Sequence, residues 1–141
     1  MPSEYEILAH HWFEEVWNQG RVATIDELMA GDAIIHGLVD DKGVEIRGTA
    51  AFKAFHQTFR EAFPDIQVTV KEVLTTGDKF TARCVASGTH KGASLGLAPT
   101  GKKATFDGIC IARIADGKIV EAWNVWDFLT MFQQLGTAKI A

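Results

Sequence analysis

The hydrophobic period of this chain changes once, at Pro64, and that switch limits the folds open to it. Before it, apolar residues recur every three or four positions: Tyr5, Leu8, Ala9, Trp12, Phe13 and Val16, then Ile25, Leu28 and Met29, then Phe52, Phe55, Phe59, Ala62 and Phe63. After it they alternate, with Ile66, Val68 and Val70 set against Gln67, Thr69 and Lys71. Helical spacing followed by strand spacing predicts segregated helices and antiparallel strands, the α+β class. A sheet with one apolar face needs cover, and the amphipathic helices are the cover available. A strongly curved sheet wrapped over those helices leaves room for a cavity between them.

Local signals set the expected boundaries. Ser3 with Glu6 forms a capping box for a first helix that Gly20 stops, and Thr24 with Glu27 repeats the signal for a short second helix ended by Gly31-Asp32. Residues 33–37 are β-branched enough for a short strand carrying His36, and residues 39–48 read as a loop or loose edge hairpin. Thr49 is the expected cap of a third helix, which Pro64 ends. Thr76-Gly77-Asp78 then turns one strand into another over residues 79–90. A loop at 91–102 and a strand at 104–115 follow. Asp116-Gly117, the strongest short hairpin signal in the chain, leads into a last strand at 118–126 and an apolar helical tail.

Length and composition narrow the function. A chain of 141 residues reads as one domain, 1–141, able to bury its own core. The net charge of −4, with Lys and Arg scattered, offers no footprint for nucleic acid or an anionic membrane. No apolar run reaches the roughly 18 residues of a membrane span, and no signal peptide is apparent. Cys84 and Cys110 stand apart with no partner at metal spacing, which suggests neither a disulfide framework nor a zinc site and fits a reducing cytoplasm. His10 and His11 are adjacent, and so diverge on a helix; no metal is assigned. A glycine-rich phosphate loop and a G-x-S-x-G nucleophile elbow are both missing.

The candidate site gathers at the end of the last strand. Strict alternation sets Ile119, Glu121, Trp123, Val125 and Asp127 on one face, and Val120, Ala122, Asn124 and Trp126 on the other. Mixed character on both suggests that each is partly covered, one by helices and one by a second subunit. An aspartate on the Trp123 face is expected to be partly desolvated, which raises its pKa toward the range useful for proton transfer. Asp127 equally suits the N-cap of the tail helix, and both readings stand. His90 has the parity to point with Phe80, Ala82, Cys84 and Ala86, and His36 can do the same from its short strand; each can orient a carbonyl, or be a half-buried hydrogen-bonded histidine. His56, on the third helix's apolar stripe, reads as packing or pocket wall. Trp12 and Phe59 belong to aromatic stripes that are core by base rate, with some rings left to face a cavity suited to a flat, apolar ligand with a few oxygens.

The set Trp17-Asn18, Phe63-Pro64-Asp65, Gly88-Thr89-His90-x-Gly92, Pro99-Thr100-Gly101 and Asp116-Gly117-Lys118-Ile119-Val120-Glu121-x-Trp123, with Asp127 and Gln134-Leu135-Gly136, resembles the SnoaL-like polyketide cyclases of the nuclear-transport-factor-two-like superfold. The resemblance spans nearly the whole chain. It implies a cone of curved antiparallel or mixed sheet around a pocket, a cystatin-like α+β barrel, often assembled as a homodimer. It further implies an aspartate at the end of the last strand, here Asp127, that acts as acid and base in an aldol ring closure without metal or cofactor. His36 and His90 are similar to the family's pocket histidines, and no second acid matches the pair of a steroid isomerase.

The resulting expectation is a cofactor-independent acid-base enzyme acting on a small, apolar or polyketide-like carbonyl compound. Asp127 is its general acid and base; His90, His36 and Asn124 orient oxygens, and Trp123 supplies a dry wall. The superfold hosts many functions, so three other readings stay open: a ligand-binding module without chemistry, a dimer with a filled cavity, and an isomerase or dehydratase relative.

Overall fold

The structure is a computed structural model that describes residues 3–138. In chain order the elements are α1 (Glu4–Trp12), continued by a π-helical turn (Phe13–Asn18), α2 (Val22–Leu28), β1 (Met29–Val39), β2 (Glu45–Arg47) and α3 (Gly48–Ala62). Then come β3 (Gln67–Thr76), β4 (Lys79–Thr89), β5 (Lys103–Ala115), β6 (Lys118–Trp126) and α4 (Phe128–Gln134). The six strands form one mixed sheet in the order β2-β1-β6-β5-β4-β3, in which β1 and β6 run parallel and every other pair antiparallel. The α+β class expected from the period switch is the one observed. The sheet is not closed, however: β2 and β3 are its two edges, so the barrel is an open one.

The cap signals divide. Ser3 Oγ accepts from the Glu6 N–H at 3.2 Å, as the capping box requires. Thr24 is no cap; it lies inside α2, fully buried, donating to Glu15 Oε1 at 2.8 Å and receiving Arg21. Nor does Thr49 cap α3, which starts at Gly48 after Arg47 without a side-chain cap. The second helix ends at Leu28, before Gly31-Asp32, because Met29 already takes extended backbone and begins a strand of 11 residues, longer than the sequence suggested. The Asp116-Gly117 hairpin is as expected. Both residues have positive φ, 52° and 75°, the pair that a tight turn matching the sheet's twist demands.

One sheet face is built to receive rings. Inward positions on β4 and β5 carry Ala82, Ala86, Gly88, Ala104, Gly108 and Ala112, all buried small residues. Against this floor sit Trp12, Phe13 and Phe52 from the helices, each nearly fully buried. Burying a side chain of that size contributes about 1.5–3 kcal/mol, so these rings are a main source of the core's cohesion.

Several of the motifs that carry the family resemblance turn out to be brackets between distant backbones. The Asn18 amide accepts from Val68 N–H at 2.6 Å and donates to Val68 C=O at 3.0 Å, tying the π-helical turn to β3. Gln134 does the same to Thr105 on β5, at 2.6 and 3.0 Å. Asp65 accepts from both the N–H and the hydroxyl of Thr89, at 2.7 and 2.9 Å. Each bracket gives a strand or loop end the partners it would otherwise lack.

A candidate ligand cavity beneath the last strand

Between the helices and the inward sheet face lies a cavity of about 70 Å³. Trp12, Phe13 and Trp17 come from the first helix and its π-helical turn, Phe52, Phe55 and Phe59 from α3, and Phe106, Asn124, Trp126 and Phe128 from the other side. Among its lining residues no side chain is a carboxylate or a histidine, and Asn124 supplies the one amide. Cys110 also reaches the wall, but burial pushes its thiol up to about 12, so it is neutral and poorly nucleophilic.

From Glu121 to Trp126 the faces of β6 alternate as expected, and Ile119 departs from the pattern. A register shift between Arg113 and Ile114 leaves Val120 without a partner, so Ile119 comes onto the same face as Ala122, Asn124 and Trp126. That face lines the cavity. Trp123 lies on the other, 36 % exposed, and cannot be the dry wall expected of it. Trp126 takes that place, and Gly108 is the reason it fits: a Cβ there would come within 2.1 Å of the indole. A glycine among alternating inward residues of a strand is the signal that marks such a close approach. The Asn124 amide is held loosely, donating to His36 C=O at 3.3 Å and accepting from Trp126 Nε1–H at 3.4 Å.

The three proposed chemical residues separate in space. His36 is on the outer face, stacked on Trp123 at 5.5 Å, with Nδ1 3.0 Å from Glu45 and Nε2 2.8 Å from Glu121. The hydrogen bond to Glu121 and then that to Glu45 raise its pKa above the ordinary value. His90 has the inward parity expected, yet it is fully buried and absent from the cavity wall. Thr100 N–H donates to its Nδ1 at 3.2 Å, and its Nε2 has no partner among the described residues. His90 therefore pins the 91–102 loop, helped by main-chain bonds to Lys102 and Gly101 at 2.9 Å.

Asp127 sits between two residues that line the cavity, Trp126 and Phe128, but its carboxyl is exposed. Its Oδ1 accepts from Thr130 N–H at 3.0 Å and its Oδ2 from the Thr130 hydroxyl at 2.6 Å, which makes it the N-cap of α4. Desolvation is outweighed. The Thr130 hydroxyl, then its N–H, hold the carboxyl below its ordinary value, a reversal of the upward shift expected beside tryptophan.

His56 is buried behind the wall, its Nε2 donating to Val16 C=O at 2.6 Å, and burial lowers its pKa. Arg60 donates to Trp17 C=O at 3.0 Å. These two bonds from α3 take carbonyls in the π-helical turn and so hold Trp17, whose ring lies 5.0 Å from the His56 ring. Trp12, Phe59 and Asn124 are thus the expected binding residues found on the cavity, while His56 supports a neighbour. Among the described residues no group of His, Cys, Asp and Glu is spaced to hold a metal, and no helix is long and apolar enough to cross a membrane.

Known proteins are similar to this chain in sequence and fold. Aklanonic acid methyl ester cyclase DauD of Streptomyces sp. (strain C5) is 27% identical over 124 residues, covering 86% of this chain and 76% of that protein. DnrD of Streptomyces peucetius, with the same described activity, is 28% identical over 123 residues, covering 86% and 84%. The crystal structure of IdmH from Streptomyces antibioticus, a candidate polyketide cyclase, superposes with a TM-score of 0.82 at 34% identity over 95% of this chain and 99% of that one. The SnoaL-like polyketide cyclase profile matches residues 7–135. From its α1 to the end of its tail helix, the chain belongs to the SnoaL-like polyketide cyclase family.

Proposed function

We propose that the protein closes a ring in a flat, largely apolar carbonyl compound of polyketide type by acid-base chemistry. The observation that carries this reading is the aromatic cavity with one amide in its wall and Asp127 between two of its lining residues. Asp127 takes a proton from a carbon flanked by carbonyls, and the enolate carbon attacks a ketone of the same molecule. A carbon–carbon bond forms, and the proton returns to the new alkoxide. Asn124 donates to a substrate oxygen through its loosely held amide. The scheme moves one proton out and one back, so it calls for no electron acceptor. A carboxylate with a lowered pKa is a modest base, which suits a carbon acid whose enolate is already delocalised.

Pockets that hold drug-sized ligands measure roughly 300–1,000 Å³, well above the 70 Å³ here. A several-ring ligand therefore needs the lining rings rearranged to make room, or engages the cavity with one of its rings only. The relatives' named compound, aklanonic acid methyl ester, and related polyketide precursors are the substrates to try. Aldol closure gives an isomer, so conversion is read as a change of retention time at constant mass. Unchanged turnover in Asp127→Asn would sink the mechanism.

A second reading has its own support: no lining side chain is an ionisable carboxylate or imidazole, as in a module that binds without chemistry. It predicts the same ligand affinity in Asp127→Asn and ligand recovered with its retention time unaltered.

A homodimer through the outer sheet face accompanies either reading. Ile109 opposite Val125 and Ile111 opposite Trp123 form an apolar patch, and all four are exposed in the single chain. Light scattering after size exclusion tests it, with a mass near 15.5 kDa at micromolar concentration counting against a dimer.

A further inference from the structure

Resting on the reading of Asp127 as the base, we propose that Thr130 is its positioning residue, fixing the rotation of the carboxylate from the first turn of α4. A helix N-cap needs one oxygen to accept one backbone N–H. Here the backbone bond, Thr130 N–H to Oδ1 at 3.0 Å, is joined by a second from the same residue, the hydroxyl to Oδ2 at 2.6 Å. The second bond is unnecessary for capping. It fixes the rotation of the carboxylate, because both oxygens are now held from one side, and it leaves each with lone pairs directed elsewhere.

Two consequences follow for chemistry. A carboxylate clamped in one plane presents its free lone pairs in one direction, which lowers the ordering needed at reaction. A hydroxyl donating to the ionised form also favours that form. The group stays ionised over the working range and in exchange grips a proton weakly. Thr130 thereby sets the aim of the base.

Thr130→Val removes the hydroxyl while keeping the shape and the backbone N–H of the cap. Thr130→Ser restores the hydroxyl, and Thr130→Ala serves should the valine variant fold poorly. Two readouts are taken on wild type and variants: carboxyl NMR titration of Asp127 in the free protein, and the pH profile of kcat/KM, which reports groups of the free enzyme. In Thr130→Val both the titration and the acid limb of the profile are expected to move to higher pH, and in Thr130→Ser both return. An Asp127 titration identical in wild type, Thr130→Val and Thr130→Ala overturns the role of Thr130. If the titration moves and the acid limb does not, the hydroxyl controls the carboxyl but Asp127 is not the base. The two failures are therefore separate.

Discussion

The two faces of β6 carry opposite chemistry although they belong to the same nine residues. Inward lie Ile119, Ala122, Asn124 and Trp126, with an amide and an indole N–H as their polar groups. Outward lie Glu121, Trp123 and Val125, with Glu121 paired to His36 and Arg113, Glu45 paired to the other nitrogen of His36, and an apolar patch beside them. Charge is kept in water, where an ion pair costs little, and out of the cavity, where an unpaired one would be expensive. The proposed base, Asp127, belongs to neither face. It is at the seam, where the strand ends and α4 begins, exposed and flanked in the chain by the cavity-lining Trp126 and Phe128.

That contrast can be broken from either side, and the largest effect is expected at the seam. Asp127→Asn keeps the cap, since asparagine caps helices as well as aspartate does, and removes the proposed base. Turnover should fall by about 10²- to 10⁴-fold with the melting temperature little changed; Asp127→Ala should lose both. Steady-state kinetics and thermal melts of the two variants separate catalysis from capping.

On the inner face, Gly108→Ala drives a methyl into the Trp126 ring. The cost should be about 1–3 kcal/mol of stability, with weakened binding of flat aromatic ligands, measured by denaturant melts and tryptophan fluorescence. An unchanged melt would mean that Trp126 does not depend on the glycine.

The outer face should answer differently. Ile111→Lys with Val125→Lys is expected to convert a dimer to monomers while changing monomer stability by no more than about 0.5 kcal/mol per site. Sedimentation and urea melts read the two quantities apart.

The smallest effect belongs to His36. Its folded pKa is raised above 6.5, so its contribution is full below 6.5 and fades as pH climbs through the folded value. Glu121 is depressed below 4.5, largely by His36, and its contribution fades as pH falls through that lower folded value. Stability from this cluster is greatest between the two. His36→Gln should flatten the alkaline slope in melts recorded from pH 6 upward, and should leave turnover alone if the outer face takes no part in chemistry.

Much of this was legible because the signals are local. Asp116-Gly117, Ser3 with Glu6 and Pro64 act through a few neighbouring residues, and each produced the turn, cap or stop expected. Asn18, Asp65, Thr89 and Gln134 explain why the family could be recognised from motifs: they hold backbones together, so they specify the fold more sharply than the reaction. Thr24 misled because a capping pattern inside a helix is indistinguishable in sequence from one at its start.

The sequence by itself determined the element order, the α+β class, the supply of aromatic rings and the family. Only the tertiary structure decided which tryptophan faces the cavity, because one unpaired residue at Val120 brings Ile119 onto the face of Trp126, and strict alternation in the sequence does not record such a slip. It also decided the protonation of Asp127. Proximity to tryptophan in sequence says nothing of solvent or of donors, and a carboxyl's pKa follows from both; here water and the two bonds from Thr130 outweigh the neighbouring rings.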